Sequence, residues 1–269
     1  MNPIKQKSYS LIVMIILSFL LMAHAASVTV PSKAPTIAAA MASVKKGDTV
    51  WVEEGIYREH IYVNPGVTLI SRAIFKAVID GSGRGTVVTM GNGSRISGFE
   101  IRNGTVGIFS TSADVSISQC RIIYNQQTGI MCVGNLPRIE DNILAYNRGS
   151  GIQGWDVRST SSSINHNTIA FNSNHGVAIG GNSSIILENS IIAYNDQFGV
   201  KPSDETARIT MINNSFFQNA KFTNVLPSDN FSLDPMFTDA KRLNFMLSKD
   251  SRCIGKGSDN QDIGARIIY

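Results

Sequence analysis

Residues 120–152 read CRIIYNQQTGIMCVGNLPRIEDNILAYNRGSGI, and one pattern occurs twice within them: Asn125…Gly129-Ile130 and Asn147…Gly151-Ile152. An asparagine is followed four positions on by glycine, then by a β-branched residue. Working outward, the pattern recurs as Asn103…Gly107-Ile108, Asn172…Gly176-Val177 and Asn195…Gly199-Val200, with a decayed copy at Asn219…Thr223-Asn224-Val225. The asparagines are 22, 22, 25, 23 and 24 residues apart. Self-similarity at such a period is the signature of a solenoid.

The residues between the asparagines decide which solenoid. A second ladder, Cys120, Asn142, Asn167, Ser190 and Asn214, runs five residues ahead of the first. Between the two lie Ile122-Ile123, Ile143-Leu144, Thr168-Ile169, Ile191-Ile192 and Phe216-Phe217, short apolar pieces bounded by Asn, Gly and Ser. These read as very short strands, and no window of the repeat keeps a helical period for eleven residues. A coil of ~23 residues traces roughly 75 Å at about 3.3 Å per residue, which suits a three-sided coil stacked on the next at about 4.8 Å. The repeat glycine then belongs at a corner needing positive φ or close backbone approach. The residue after it becomes an inward knob, and the asparagines hydrogen-bond to one another along the axis.

On these repeats the chain resembles the right-handed parallel β-helix proteins of the pectate-lyase-like superfamily over about residues 36–265. The resemblance implies an all-β fold of a single-stranded right-handed parallel β-helix, a solenoid of about nine coils with an N-terminal capping helix. Regular coils would span 95–230, and 231–269 would close the last coil. Two further stretches are similar to secreted bacterial β-helix proteins. Gly47-Asp48-Thr49-Val50-Trp51-Val52 with Gly55-Ile56-Tyr57 resembles the opening coils of pectin methylesterases. Ser232-Leu233-Asp234-Pro235-Met236-Phe237 and Asp262-Ile263-Gly264-Ala265 resemble a terminal coil. Nothing after Ser71 matches the catalytic motifs of the methylesterases. His175-Gly176 is similar to a short polygalacturonase motif, without the paired aspartates that precede it there.

The remainder of the chain sets the context. Lys5 and Lys7, the apolar run Leu11–Met22 and Ala23-His24-Ala25 form a signal peptide over 1–25, cleaved before Ala26, with an apolar run too short for an anchor. The implied location is secreted or periplasmic. The mature chain, 26–269, reads as one domain. Its formal charge falls from +4 to about +2 once Lys5 and Lys7 leave, and no basic run points to nucleic acid. Cys120, Cys132 and Cys253 are odd in number and lack metal-ligand spacing. Ile37, Met41 and Val44, at helical spacing and followed by Gly47, predict a helix over 36–46 that covers the first coil.

Chemistry is sought at corner loops. The longest departures from the minimal coil, Gln153–Ser163 and Lys201–Arg208, fall at one corner two coils apart, hence about 10 Å from each other. They offer Trp155, Asp156, Arg158, Lys201, Asp204, Glu205 and Arg208, with His175 between them. Asp156, Arg158, Lys201 and Asp204 are the candidate catalytic residues, and Trp155 and His175 the candidate substrate-binding ones. A uronate lyase needs a cation against the carboxylate and a base for the α-proton. A glycoside hydrolase needs two carboxylates about 5 Å apart or more, for which Asp156 and Asp204 are the available pair. Tyr124, Tyr146, Phe171 and Tyr194 share one coil position and form a stack whose direction the sequence leaves open. The residues support two readings: an exported solenoid that binds glycan or serves as scaffold, and a lyase or hydrolase on acidic, uronate-containing polysaccharide. Polysaccharide is the expected partner in either case. No metal or cofactor is expected, calcium entering only with the lyase reading, and no motif fixes an oligomeric state.

Overall fold

The computed structural model describes residues 25–158, 164–221 and 226–267. The signal segment up to residue 24, the end of the Gln153–Ser163 loop and the decayed Thr223-Asn224-Val225 copy lie outside them. The chain is a parallel β-solenoid of about eight coils, each laying one short strand on each of three faces. In one coil these are Ser116–Ser118, Arg121–Ile123 and Thr128–Asn135. The next coil, Arg138–Glu140, Ile143–Ala145 and Ile152–Arg158, pairs with it in parallel, strand for strand. Register on the third face aligns Ile108, Ile130, Ile152, Val177 and Val200 in one column. All five are buried. The residue after each repeat glycine is thus the inward knob that the pattern implies.

The asparagine ladder runs along the axis as expected from Asn125 onward, whereas Asn103 falls one residue short of it, opposite Tyr124, and Gly104 N–H donates to Asn125 Oδ1 in its place (2.9 Å). The Oδ1 atom of Asn147 accepts from both the backbone N–H (3.1 Å) and Nδ2 (3.0 Å) of Asn125. Asn172 does the same for Asn147, and Asn195 for Asn172. The second proton goes to a carbonyl of the preceding coil in the later rungs, Ile122 for Asn147 and Leu144 for Asn172, and to Ile123 of its own coil in Asn125. Asn142, Asn167 and Asn214 build the second ladder similarly, with the Ser190 hydroxyl as one rung. A buried amide with every donor paired stabilises, whereas an orphaned one costs.

The repeat glycines do not carry positive φ. Left-handed backbone falls instead on the residue just before each ladder position: Tyr124, Tyr146, Phe171 and Tyr194 in one corner, Gln119, Asp141, His166, Asn189 and Asn213 in the other. The glycines serve close approach. A Cβ at Gly107 would sit 2.5 Å from the Gly129 carbonyl oxygen and 2.6 Å from Ile122 Cγ2. Gly107→Ala should therefore cost about 3 kcal/mol through overpacking, read as a fall of roughly 6–10 °C in melting temperature. An unchanged melting curve would show that the coils can spread there.

The helix spans only Ile37–Ser43, capped by Thr36, whose hydroxyl accepts from Ala39 N–H. It is shorter than the predicted 36–46 because Val44 turns to extended backbone, although Val44 is still buried with Ile37 and Met41. It packs on the strand Ser27–Val30 and on the first coil, and Ser27–Val30 pairs with Thr49–Val52 at the end of the sheet.

The larger correction concerns the C-terminal segment, which closes the last coil only at its start, where Phe231 pairs with Ser215 and Leu233 bonds the Ser215 hydroxyl; the rest of it folds back along the outside of the second face. Ile143, Ala145, Ala170, Ile191 and Ala193 point outward there, yet are buried beneath Phe245, Cys253 and Ile263. Polar ties run the length of this cover: Ala265 N–H to Thr168 Oγ1 (3.0 Å), Tyr146 Oη to the Ala240 carbonyl (3.0 Å), and Arg266 to Asp141 (2.8 Å). His166 is fully buried under it, with Nε2 3.0 Å from Asp259 Oδ2 and Nδ1 3.1 Å from the Asp262 carbonyl. Asp262-Ile263-Gly264 is part of this cover, with Gly264 lodged against Ile191 and Thr168. The three cysteines are buried free thiols, and burial pushes Cys120 and Cys132 up to about 12.

Candidate functional site

The third face keeps its outer side open. Alternation with the inner column sends Tyr62, Thr89, Phe109, Met131, Gln153, Ala178 and Lys201 outward, in register from coil to coil. Beside them runs a second outward column, Val133, Trp155 and Gly180. Trp155 is 51% exposed, and its ring lies over the next coil at Gly180, where a Cβ would fall 2.5 Å from the ring. The absence of a side chain at 180 lets the indole lie down, leaving one face of it to solvent, a surface suited to a sugar ring.

Toward the C-terminal end of this face the charged groups gather around Phe198. The Lys201 ammonium stands 4.9 Å from the ring centroid and the Lys221 ammonium 5.9 Å, both in cation–π range. The His175 ring is 5.7 Å away, centroid to centroid. Phe198 N–H donates to His175 Nδ1 at 3.2 Å, so the neutral imidazole carries its proton on Nε2. Burial, then the charges of Lys201 and Lys221, hold the His175 pKa below its ordinary value. Neither lysine makes an ion pair among the described residues. The result is two unneutralised ammonium groups and a neutral imidazole on one half-buried ring.

The two aspartates predicted to pair are brought to a single turn. Asp156 Oδ1 accepts from Asn182 N–H at 2.9 Å, and Asp204 Oδ2 accepts from Gly181 N–H at 2.6 Å, from the coils on either side. Asp204 Oδ1 accepts in addition from the backbone N–H and hydroxyl of Thr206. The Thr206 hydroxyl and the Gly181 N–H are the main donors that hold Asp204 below the usual carboxylate range. A hydrolase acid needs the opposite shift, so Asp204 sits as a turn-holding carboxylate. Arg158 lies at the exposed end of Ile152–Arg158 without an ion pair among the described residues. Arg208 Nη1 donates to the Glu205 carbonyl within its own loop. Among the described residues no three His, Cys, Asp or Glu side chains converge to hold a metal ion.

Phe198 and Lys221 went unremarked in the sequence. The signal was present at the position before each repeat glycine, which runs Val106, Thr128, Ser150 and then His175 and Phe198. Lys221 bridges to Phe198 across the next coil, inside the decayed repeat where register is hardest to read.

The profile of the right handed beta helix region matches residues 55–156 and 84–234, and the chain belongs to that family. Among solved structures it is similar to an alginate lyase from Paenibacillus sp. str. FPU-7, at 16% identity over 75% of this chain and 82% of that one, with a TM-score of 0.54. It is also similar to pectate lyase Pel9A, at 14% identity over 89% of this chain and 95% of that one, with a TM-score of 0.51. At such identities the likeness is one of fold. Comparison with curated protein sequences gives no match. Among the described residues no helix is long and apolar enough to cross a membrane.

Proposed function

We propose that the chain acts on a uronate-containing polysaccharide laid along the outer side of the third face, and that the reaction is β-elimination. The observation that carries this is the Phe198 cluster, with two lysines lacking a carboxylate partner among the described residues. A uronate carboxylate placed between Lys201 and Lys221 would complete both charges. Neutralising it would acidify the C–H alongside, the requirement for elimination. That C–H bond then breaks, its electron pair forms the C=C bond, and the neighbouring C–O bond breaks toward the departing sugar. His175, neutral with Nε2 protonated, is suited to protonate that oxygen. To take up the carbon-bound proton at Nδ1 it must first release Phe198 N–H, a long contact at 3.2 Å. Trp155 serves as a platform for a neighbouring ring, while Asp156 and Asp204 hold the Gly181–Asn182 turn beside it. The signal-like sequence over residues 1–25 supports a location outside the cytoplasm.

That same contact favours a second reading, in which the face binds acidic glycan without cleaving it. Incubation with polygalacturonate and with alginate separates the two, read by ultraviolet absorbance of unsaturated uronate and by new reducing ends. Cleavage should fall about a hundredfold in Lys201→Ala. Because His175 titrates low, the rate should hold to a more acidic pH than an ordinary imidazole, of pKa about 6.5, would allow. Retained binding without product supports the second reading, and absence of binding to either polymer overturns both.

A further inference from the structure

The corner between the second and third faces carries a column of aromatic rings. From Tyr194 through Phe171 and Tyr146 to Tyr124 they stack at centroid distances of 4.8, 5.2 and 5.6 Å, with interplanar angles of 9°, 16° and 20°. Phe237 and Phe245 of the C-terminal segment lean on the Phe171 part of this stack. At the other end the stack stops short. One coil further on, the left-handed position is Asn103, and beyond it comes the Ser82–Gly83 turn. Tyr124 is left 45% exposed at the mouth of a cleft of about 350 Å³.

The cleft walls are polar and specific. Gln126 Nε2 donates across it to the Gly83 carbonyl at 2.7 Å, and Oε1 has no partner among the described residues. Asn103 Nδ2 donates to Asp80 at 2.8 Å, and Oδ1 likewise has no partner among the described residues. Arg148 lines the same space and makes no ion pair among the described residues. A planar cation, two amide acceptors and the face of Tyr124 turned away from Tyr146 match the groups of an acidic sugar: a carboxylate, hydroxyls and an apolar ring face.

We propose that this cleft is a second saccharide site and takes a uronate ring. The ring lies against Tyr124 where the next rung of the stack is missing, its carboxylate meets the Arg148 guanidinium, and its hydroxyls donate to Asn103 and Gln126. The site shares a ligand class with the third face but none of its residues, so either can exist without the other.

The test is calorimetric titration with oligogalacturonate, using a cello-oligosaccharide as neutral control, in the full chain carrying Lys201→Ala and Lys221→Ala. Binding should survive in that background. Tyr124→Asn, which keeps a residue tolerant of left-handed backbone, should weaken it roughly fivefold to tenfold. Arg148→Gln should weaken it at least as much, and the neutral control should bind less tightly than oligogalacturonate. Loss of all binding in the double lysine variant overturns the proposal. So does oligogalacturonate affinity that neither Tyr124→Asn nor Arg148→Gln changes. If the double lysine variant binds as tightly as the unaltered chain, the Phe198 reading falls and this one stands.

Discussion

Asn172→Ala lowers the melting temperature by about 10 °C, the expectation for removing one rung from the middle of the ladder. Asn172 Oδ1 accepts from Asn147 N–H (3.1 Å) and Nδ2 (3.0 Å), and its own Nδ2 donates to the Leu144 carbonyl and to Asn195 Oδ1. Alanine leaves two donors on Asn147 and one acceptor on Leu144 without these partners, all in a region closed to water. Each orphaned group costs about 1–3 kcal/mol. Even with partial relaxation the sum is about 4 kcal/mol, and a chain of this size loses roughly 2–4 °C per kcal/mol. Asn172→Asp should be no better, because a carboxylate accepts but cannot donate to Leu144 or Asn195. Circular dichroism melts decide it: a fall of under about 3 °C for the alanine variant would mean that the ladder follows the coils and does not hold them.

Removal of everything after Asn230 should yield a chain that aggregates. The C-terminal segment covers Ile123, Ile143 and Ile191 on the second face and buries its own Phe245 and Ile263 in doing so. At about 2 kcal/mol for each large side chain the burial amounts to on the order of 10 kcal/mol, as much as the whole stability of an ordinary domain. The uncovered face would also be a continuous apolar strip across several coils, a surface that recruits other chains. Ile263→Asp is the milder probe: it should leave the coils folded while raising binding of a hydrophobic dye. Soluble, dye-negative truncated protein would show that the segment is dispensable.

The asparagine period and the glycine-isoleucine pair made the coils legible, because both depend on contacts between equivalent residues of successive coils. Which corner residue turns left-handed was not legible. The glycine was the natural candidate, yet its role is closeness, and the rings of Tyr124, Tyr146, Phe171 and Tyr194 take the unusual φ because stacking outside the corner repays it. These rings neither enter the coil nor form a free strip, since the C-terminal segment covers part of them. That cover had left a trace in the sequence: Ile143-Leu144-Ala145 and Ile191-Ile192-Ala193 are apolar on both sides of the strand, which a half-exposed sheet does not tolerate. By contrast, Glu100, Arg102 and Arg121 occupy the same outward positions in earlier coils, where Glu100, itself buried, pairs with both arginines. The segment itself has no period, so nothing local told where it would lie. At the site, coil arithmetic brought Asp156 and Asp204 to one turn, but only coordinates show their oxygens committed to backbone donors.

The doubled-back segment also works as a ruler. It grips the solenoid at Asp141, Thr168, Asn189 and Ser215, in successive coils, by side-chain and backbone bonds of fixed spacing. Inserting or deleting one coil within that stretch would slide every later grip by about 4.8 Å and release them together. Among the described residues no hydrogen bond or ion pair ties the segment to the coils before Glu100. Lineages that lengthen or shorten this solenoid should therefore do so in its N-terminal half.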